Sequence, residues 1–220
     1  MEASNQEGCH SEGPEFSWSS FYEKRRGIRK RYSSVYELPL AKKLFDVVMG
    51  ELGGSELILD VGASSIELGE RIVKKHPSVI YKTMDIDRAN KHDYYCLSEI
   101  KEKFDIIVLS EVIEHLDFEE GSDLLQELKE LLKSGGRIII STPNLNHPTR
   151  YWEDTDHKTP YGYESLGALA EQIGFNLKVI YRTYNDQFLK RLIRIYLMGW
   201  LHKYLGVDYA KSIVLVGEVK

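Results

Sequence analysis

The stretch Leu57–Gly69, LILDVGASSIELG, decides the fold of this chain. Apolar and acidic residues run into a turn at Gly62, and a helix-like pattern follows. In an α/β protein this order predicts a strand that delivers a ligand-binding loop to the edge of a sheet. The loop is irregular, because residues 63–66, ASSI, stand where a glycine-rich loop carries further glycines.

The composition of the chain fits one globular protein that works in a reducing compartment. Its 220 residues are 42% hydrophobic, which is enough for a packed core. The net charge of −5 gives no general attraction to nucleic acid. The two cysteines, Cys9 and Cys96, lack the spacing of a disulfide framework or a metal site. We therefore expect a cytoplasmic protein and leave peripheral contact with a membrane open, since no signal peptide or membrane span is recognised.

The chain divides into a tail and one domain. Residues 1–15 are polar and small, which predicts a disordered tail, and residues 16–220 are predicted to form a single domain. Within it, residues 16–36 interleave aromatic side chains with a basic cluster. Two interpretations stay open for this segment. It is either a helix that packs its aromatics on the domain and turns its charges to water, or a lid that brings positive charge to an anionic substrate.

Strand-like runs alternate with helical periodicity along the rest of the chain. Residues 38–52 have the spacing of a helix, and residues 104–110, FDIIVLS, are as apolar as a central parallel strand. Strands are predicted at residues 56–61, 79–86, 94–97, 104–110, 137–141, 176–182 and 212–219. This alternation predicts a doubly wound, Rossmann-like α/β sheet of seven strands.

Polar residues follow several of these strands, at the edge where such a sheet binds its ligands. Asp60 to Ser65 follow the first strand, and Glu111 to His115 follow the fourth. Asp85 follows the second strand, 23 positions after Gly62, where a carboxylate can accept both hydroxyls of a ribose. A turn or a helix cap is the alternative role for Asp85.

At these residues the chain resembles the class I S-adenosylmethionine-dependent methyltransferases. The resemblance covers Leu38 to Gly174 and the last strand, and the order of its motifs is more specific than any one of them. Two of them, at residues 103–116 and 131–144, are similar to the branch that includes ubiquinone-biosynthesis enzymes and many small-molecule methyltransferases. The motifs are LILDVGASS, YKTMDID, KFDIIVLSEVIEHL, LLKSGGRIIISTPN and the Gly-Phe pair that begins at Gly174.

The resemblance implies a fold, a cofactor and its contacts. The last strand is expected to run antiparallel between its neighbours in a mostly parallel sheet. The cofactor is S-adenosyl-L-methionine, whose amino group Asp60 would orient, whose ribose Asp85 would bind and whose adenine would lie against Ile86. The full set of expected cofactor contacts is Asp60, Gly62, Ala63, Ser64, Asp85, Ile86, Ser110 and Glu111.

A cluster of acidic and histidine residues follows the fourth strand. Glu111, Glu114 and His115 are spaced to share one face of a helical turn, and His157 is a possible fourth ligand for a divalent cation. This arrangement resembles the small-RNA 3′-terminal ribose methyltransferases, which bind a metal with such a cluster. In small-molecule members the same string implies no metal. We predict no metal here and expect His115 to be the catalytic residue.

Residues 186–206, DQFLKRLIRIYLMGWLHKYLG, form an apolar and basic segment that we call the insert. One interpretation is a helix packed on the sheet or at a dimer contact. The other is an amphipathic helix that lies at a membrane surface, which would suit a lipid substrate.

The sequence thus predicts a methyltransferase that acts on a small or lipid-linked acceptor, at oxygen, with nucleic acid an improbable partner. Two alternatives are a metal-assisted methyltransferase of the RNA 3′-terminal ribose and a non-catalytic module that has kept the fold. Neither the acceptor nor the oligomeric state follows from the sequence.

Overall fold

The computed structural model describes residues 16–184 and 188–220. The predicted tail, residues 1–15, and the first two residues of the insert lie outside this range. The strands are β1 Leu40–Ala41, β2 Leu57–Val61, β3 Ile80–Met84, β4 Phe104–Ser110, β5 Leu132–Pro143, β6 Asn176–Thr183 and β7 Ser212–Glu218. The helices are α1 Trp18–Arg31, α2 Leu44–Gly50, α3 Glu67–Lys75, α4 Phe118–Glu130, α5 Tyr163–Ile173, α6 Phe188–Leu192 and α7 Gly199–Leu205.

The described strands form one mixed sheet in the order β1-β6-β7-β5-β4-β2-β3. Strand β7 runs antiparallel to both of its neighbours, β5 and β6, and every other pair is parallel. The predicted doubly wound sheet with an antiparallel last strand is therefore confirmed. The carboxyl ends of the parallel strands meet at one edge, where a sheet of this kind binds its ligands.

Two of the predicted elements are wrong. The expected strand at residues 94–97 is reduced to a single bridge between Tyr94 and Met84. The seventh strand is instead β1, which lies inside the segment predicted as a helix and pairs with the end of β6. Pro39 disfavours helical geometry at Leu38, and its carbonyl accepts from the N–H of Arg182 at 3.0 Å, which begins the pairing with β6. The helix of this segment, α2, begins only at Leu44.

Apolar side chains alternate between the two faces of the sheet and bury both. In β4, Ile107 and Leu109 pack with α1, α4 and α5, whereas Ile106 and Val108 pack with α2 and α3. All four are fully buried. The result is a three-layer α/β arrangement, which holds the loops at the carboxyl edge on a rigid base.

Helix α1 packs against α5, on one face of the sheet. Glu164 of α5 pairs with Arg25 at 3.3 Å and with Arg29 at 2.7 Å, while Phe21 and Ile28 are buried. Two arginines of this segment, Arg25 and Arg29, therefore bind an acidic residue of the same chain. The lid hypothesis for residues 16–36 stays a prediction, and α1 lines no part of the cleft described below.

A helix that spans a membrane needs about 20 predominantly apolar residues. None of the helices in residues 16–184 and 188–220 is both long enough and apolar enough to cross a bilayer.

Candidate functional site

A cleft of about 430 Å³ opens at the carboxyl edge of the sheet, between the ends of β2, β4, β5 and β6 and the start of β7. Six of the eight predicted cofactor contacts line it, and Asp85 and Ile86 do not. The six lining residues are Asp60, Gly62, Ala63, Ser64, Ser110 and Glu111.

The turn after β2 needs glycine at its first position. Gly62 has a φ of +71°, and a Cβ atom there would lie 2.3 Å from a methyl group of Val112. Its N–H donates to the carbonyl of Met84 at 2.8 Å, so the turn is tied to β3. Ser64 also has a positive φ, +29°. A serine thus occupies a backbone conformation that L side chains rarely adopt, and such strain is common at functional sites.

Asp60 lies beneath the turn and is 4% exposed. The hydroxyl of Tyr81 donates to its carboxylate at 2.7 Å. Burial raises the pKa of Asp60 to about 6, and the negative charge of Asp85 acts in the same direction. A cationic group placed in the cleft would favour the ionised form of this carboxylate, because an opposite charge lowers the pKa of an acid.

Asp85 connects the turn after β2 to the turn after β3. One of its oxygens accepts from the N–H of Ser64 at 2.9 Å, and the other accepts from the N–H of Asp87 at 2.8 Å. The next residue, Ile86, is 82% exposed. The hydrogen bond to Ser64 therefore links Asp85 to the cleft that Ser64 lines. The exposed side chain of Ile86 provides an apolar surface directly after Asp85.

Glu111 marks the end of β4 and has a φ of +53°. Its carboxylate accepts from the hydroxyl of Ser141 at 3.0 Å and pairs with Arg150 at 3.2 Å. The positive φ turns the chain before the 3₁₀ helix Ile113–His115 begins. The expectation that Glu111 shares one face with Glu114 and His115 is therefore wrong.

Three of the four predicted metal-ligating residues do come together. One potential ligand atom from each of Glu114, His115 and His157 lies within 4.8 Å of the others. The rings of the two histidines are 4.8 Å apart between centroids. The Nδ1 atom of His157 is 2.6 Å from the carbonyl of Tyr151, so this histidine also fastens its own loop.

Glu114 is the most unusual member of this cluster. It is fully buried, and neither carboxylate oxygen has a hydrogen-bond partner among the described residues. Burial, and then the negative charge of Glu111, raises the pKa of Glu114 to about 8. A carboxyl group in this state can hold a proton at neutral pH or, when ionised, can bind a divalent cation together with two imidazoles. The geometry admits both uses.

Several residues of the cleft were not predicted as site residues. They lie just before α2, in α3, in β5 and the loop after it, and at the corner where β6 ends and β7 begins. Arg150 lies in a polar loop at residues 144–161, whose length is a signal in the sequence because long loops are often functional. The unpredicted residues are Lys43, Arg71, Ser141, Arg150, Thr183 and Lys211.

Comparison with known proteins identifies the family. A family model described as a methyltransferase domain matches residues 39–178, more than half of the chain, and the chain therefore belongs to this family of methyltransferases. No curated protein sequence matches the chain. The narrower resemblance to ubiquinone-biosynthesis enzymes stays a prediction.

Solved structures share the fold at low sequence identity. A SAM-dependent methyltransferase from Archaeoglobus fulgidus is 17% identical with a TM-score of 0.63, over 92% of this chain and 100% of that one. A 1,6-didemethyltoxoflavin-N1-methyltransferase from Burkholderia thailandensis, with bound 1,6-didemethyltoxoflavin and S-adenosylhomocysteine, is 13% identical with a TM-score of 0.58, over 92% and 86%. A mycolic acid cyclopropane synthase complexed with SAH and CTAB is 14% identical with a TM-score of 0.55, over 79% and 82%.

Proposed function

We propose that this protein transfers a methyl group from S-adenosylmethionine to an oxygen atom of a small or lipid-linked acceptor. One observation carries the proposal. In a chain of the methyltransferase family, Asp60, the Gly62 turn and Asp85 meet at the ligand-binding edge of the sheet. Two similar structures are complexes with SAH, the demethylated product of this cofactor.

The residues at this edge suit the cofactor. Asp60 would face the ammonium group, whose charge would compensate the cost of burying this carboxylate. Asp85 keeps lone pairs for ribose hydroxyls while it accepts from two backbone N–H groups. The exposed side chain of Ile86 would cover the adenine. The backbone of Gly62 and Ala63, together with Ser110 and Glu111, would then surround the methionine part.

The chemistry asks little more of the protein. The sulfonium of the bound cofactor supplies an electrophilic methyl group. The chain has to align the acceptor oxygen, exclude water and take up a proton. In this proposal His115 accepts the proton of the acceptor hydroxyl. The buried Glu114 and the ring of His157 lie beside that imidazole and hold it in place.

A labelling experiment tests the acceptor and the atom. The full-length protein is incubated with methyl-labelled S-adenosylmethionine and a total lipid extract, followed by organic extraction. We expect label in the organic phase, in a form that releases methanol in base for an ester or resists base for an ether. The variant His115→Gln is expected to lose the label and to keep its affinity for S-adenosylhomocysteine. Label on nitrogen or carbon would contradict methylation at oxygen.

The insert supports a lipid-linked acceptor. Tyr196, Trp200 and Tyr204 are 79%, 71% and 84% exposed, and Leu189 and Leu197 are also exposed. Soluble surfaces rarely show so many large apolar side chains together, and such patches mark contact sites. The sequence from Gln187 to Val207 contains four lysines and arginines and no acidic residue. In a protein of net charge −5, this pattern favours a surface that carries anionic lipid.

Co-sedimentation with vesicles tests this contact. We expect the protein to sediment with vesicles that contain phosphatidylglycerol, and the double variant Trp200→Gln/Tyr204→Gln to remain in the supernatant. The matched control is Trp152→Gln, which changes an equally exposed tryptophan outside the insert. Equal sedimentation of all three proteins would contradict the contact. A shift to dimer in solution, abolished by the double variant, would instead support a contact between copies of the chain.

A second candidate function is favoured by the cluster of Glu114, His115 and His157. A buried carboxylate without a partner and two imidazoles suit a divalent cation, as a metal-assisted methyltransferase of the RNA 3′-terminal ribose requires. The net charge of −5 counts against RNA. A short RNA with a free 3′ end separates the candidates. Metal-dependent and chelator-sensitive protection of that end from periodate would favour the second, and label in lipid with a chelator present would favour the first.

A further inference from the structure

Two lysines stand at one corner of the cleft, at the side of the sheet away from Asp85. Lys43 follows β1 after one intervening residue, and Lys211 immediately precedes β7. The corner between them is Thr183, the last residue of β6. Ala41 pairs with Thr183 in the sheet, and the N–H of Lys211 donates to the carbonyl of Thr183 at 2.7 Å. Both lysines therefore flank one fixed point of the backbone.

The order of the strands separates this corner from the expected cofactor position. The contacts expected for the nucleoside follow β2 and β3, whereas Thr183 and Lys211 lie at β6 and β7. From β2 to β7 the sheet has three steps, through β4 and β5, which correspond to about 14 Å. The lysine corner thus lies on the side of the cleft that remains for the acceptor.

Backbone hydrogen bonds fix the main chain at both lysines, and their side-chain ammonium groups are available to a ligand. The carbonyl of Lys211 accepts from Asn144 at 2.9 Å, and that of Lys43 accepts from Asp46 at 3.1 Å. Within the part of the chain that the structure describes, neither side chain makes a hydrogen bond, ion pair or ring contact. Both side chains line the cleft, together with the hydroxyl-bearing residues Thr183 and Ser212.

The acidic residues of the cleft do not neutralise these lysines. Glu111 pairs with Arg150 at 3.2 Å, and Asp60 is buried and bound by Tyr81. The proposed cofactor carries two positive charges and one negative charge, so it adds net positive charge to the cleft. Two ammonium groups and the hydroxyl of Ser212 instead offer several donors to the oxygens of an anion, whereas the hydroxyl of Thr183 donates to the carbonyl of Ser212 at 3.4 Å.

We propose that Lys43 and Lys211, with the hydroxyl of Ser212, form a subsite for a phosphate group on the acceptor. The inference rests on the proposed function, because it assumes that the acceptor enters this cleft. Residues 207–210 alone separate Lys211 from the insert, and buried Asp208 fixes that connection to Arg182 and Asn144. An acceptor with a phosphate at the lysine corner would therefore have its remaining part close to the apolar insert.

Binding of phosphate to the full-length protein loaded with S-adenosylhomocysteine tests the subsite. We expect saturable binding of inorganic phosphate, weakened about tenfold or more in Lys43→Gln and in Lys211→Gln, since a hydrogen bond to a charged group contributes about 1.5–3 kcal/mol. Lys211→Arg is expected to retain most of it. Lys42→Gln is the matched control, because this exposed neighbour of Lys43 does not line the cleft.

Two further measurements distinguish the source of the phosphate group and show whether a negative result concerns the subsite or the proposed function. Dioctanoyl phosphatidate that binds more tightly than inorganic phosphate would identify a phospholipid-type acceptor, and equal binding would identify a soluble phosphate ester. The affinity for S-adenosylhomocysteine is expected to stay within twofold in both lysine variants. A loss of that affinity would assign the lysines to the cofactor and overturn the subsite. Unchanged or absent phosphate binding would overturn it too, while normal cofactor binding would leave the proposed function intact.

Discussion

Asp208 and Glu114 are two buried carboxylates beside the same edge of the sheet, and their surroundings are opposite. Asp208 is 1% exposed and accepts from Arg182 at 3.0 Å, from Tyr184 at 2.9 Å and from Asn144 at 2.9 Å. Glu114 is fully buried, and neither of its oxygens has a partner among the described residues. Its backbone carbonyl accepts from the N–H groups of Lys158 and Thr159.

The contrast separates a structural acid from one that we propose has a functional role. Asp208 neutralises a buried arginine and joins three segments that surround the base of the insert. Glu114 gains little compensation for its burial, because the hydroxyl of Thr142 and the charge of Arg150 lower its pKa by less than burial and Glu111 raise it. A folded chain tolerates such a group where it serves a reaction or a ligand. The two residues are similar in exposure, so burial alone does not distinguish their roles. The hydrogen-bond partners do.

The largest effect is expected from Asp208→Asn. The substitution leaves the guanidinium of Arg182 buried without a counter-charge, which should lower the free energy of unfolding by about 3–5 kcal/mol. Urea denaturation followed by circular dichroism measures it. The control is Glu153→Gln, which removes an exposed partner of Arg150 at 3.6 Å and should leave the free energy of unfolding nearly unchanged, because exposed ion pairs contribute little. Equal stability of the two variants would remove the structural role of Asp208.

Glu114→Gln should change how stability depends on pH. The pKa of Glu114 is raised from 4.5 to about 8, so between these values the folded chain holds a proton that the unfolded chain has lost. The free energy of unfolding of the wild type should therefore fall as pH rises through this window, by a few kcal/mol. The variant lacks this titration.

Denaturation in buffers that contain a chelator compares the two proteins. Near pH 5 they should be about equally stable, whereas at pH 8 the variant should be the more stable one. If a divalent cation restores the free energy of unfolding of the wild type at pH 8, the result would favour metal binding by Glu114. Parallel pH profiles for the two proteins would show that Glu114 is not the titrating group.

The smallest expected effect concerns two buried tyrosines, Tyr184 beside Asp208 and Tyr161 beside Glu114. Tyr184 donates to Asp208 at 2.9 Å, whereas the hydroxyl of Tyr161 is buried without a partner among the described residues. Tyr184→Phe should destabilise by about 1 kcal/mol, the net value of one hydrogen bond, and Tyr161→Phe should be neutral within about 0.5 kcal/mol. Thermal unfolding of both variants checks this. A larger cost for Tyr161→Phe would indicate a partner for its hydroxyl.

The sequence predicts the centre of the fold better than its edges. Strands such as β4 are apolar over their whole length, so local pattern suffices to find them. Strand β1 is two residues long and forms by pairing with Arg182 and Thr183, far away in the chain. No local pattern carries that information, and the helical spacing of residues 38–52 concealed it.

The residues of the site also differ in how far their positions could be predicted from the sequence. Asp60 lies in β2, and Gly62 and Asp85 directly follow β2 and β3. Because both strands are recognised from the sequence, the meeting of these residues could be predicted. Lys43 enters the cleft because β1 joins the sheet at its far edge, next to β6, and Lys211 enters it because β7 begins beside the end of β6. Glu111 was misplaced because its positive φ, which no residue type announces, breaks the helical spacing that would align it with Glu114.

Calorimetric titration with S-adenosylmethionine tests the central claim most directly. The full-length protein should release or absorb heat in a saturable way, with one site per chain. Asp85→Asn should weaken the affinity about tenfold or more, because it removes a charged acceptor of ribose hydroxyls, while Lys42→Gln should leave it unchanged. The absence of measurable heat at high protein concentration would contradict the account.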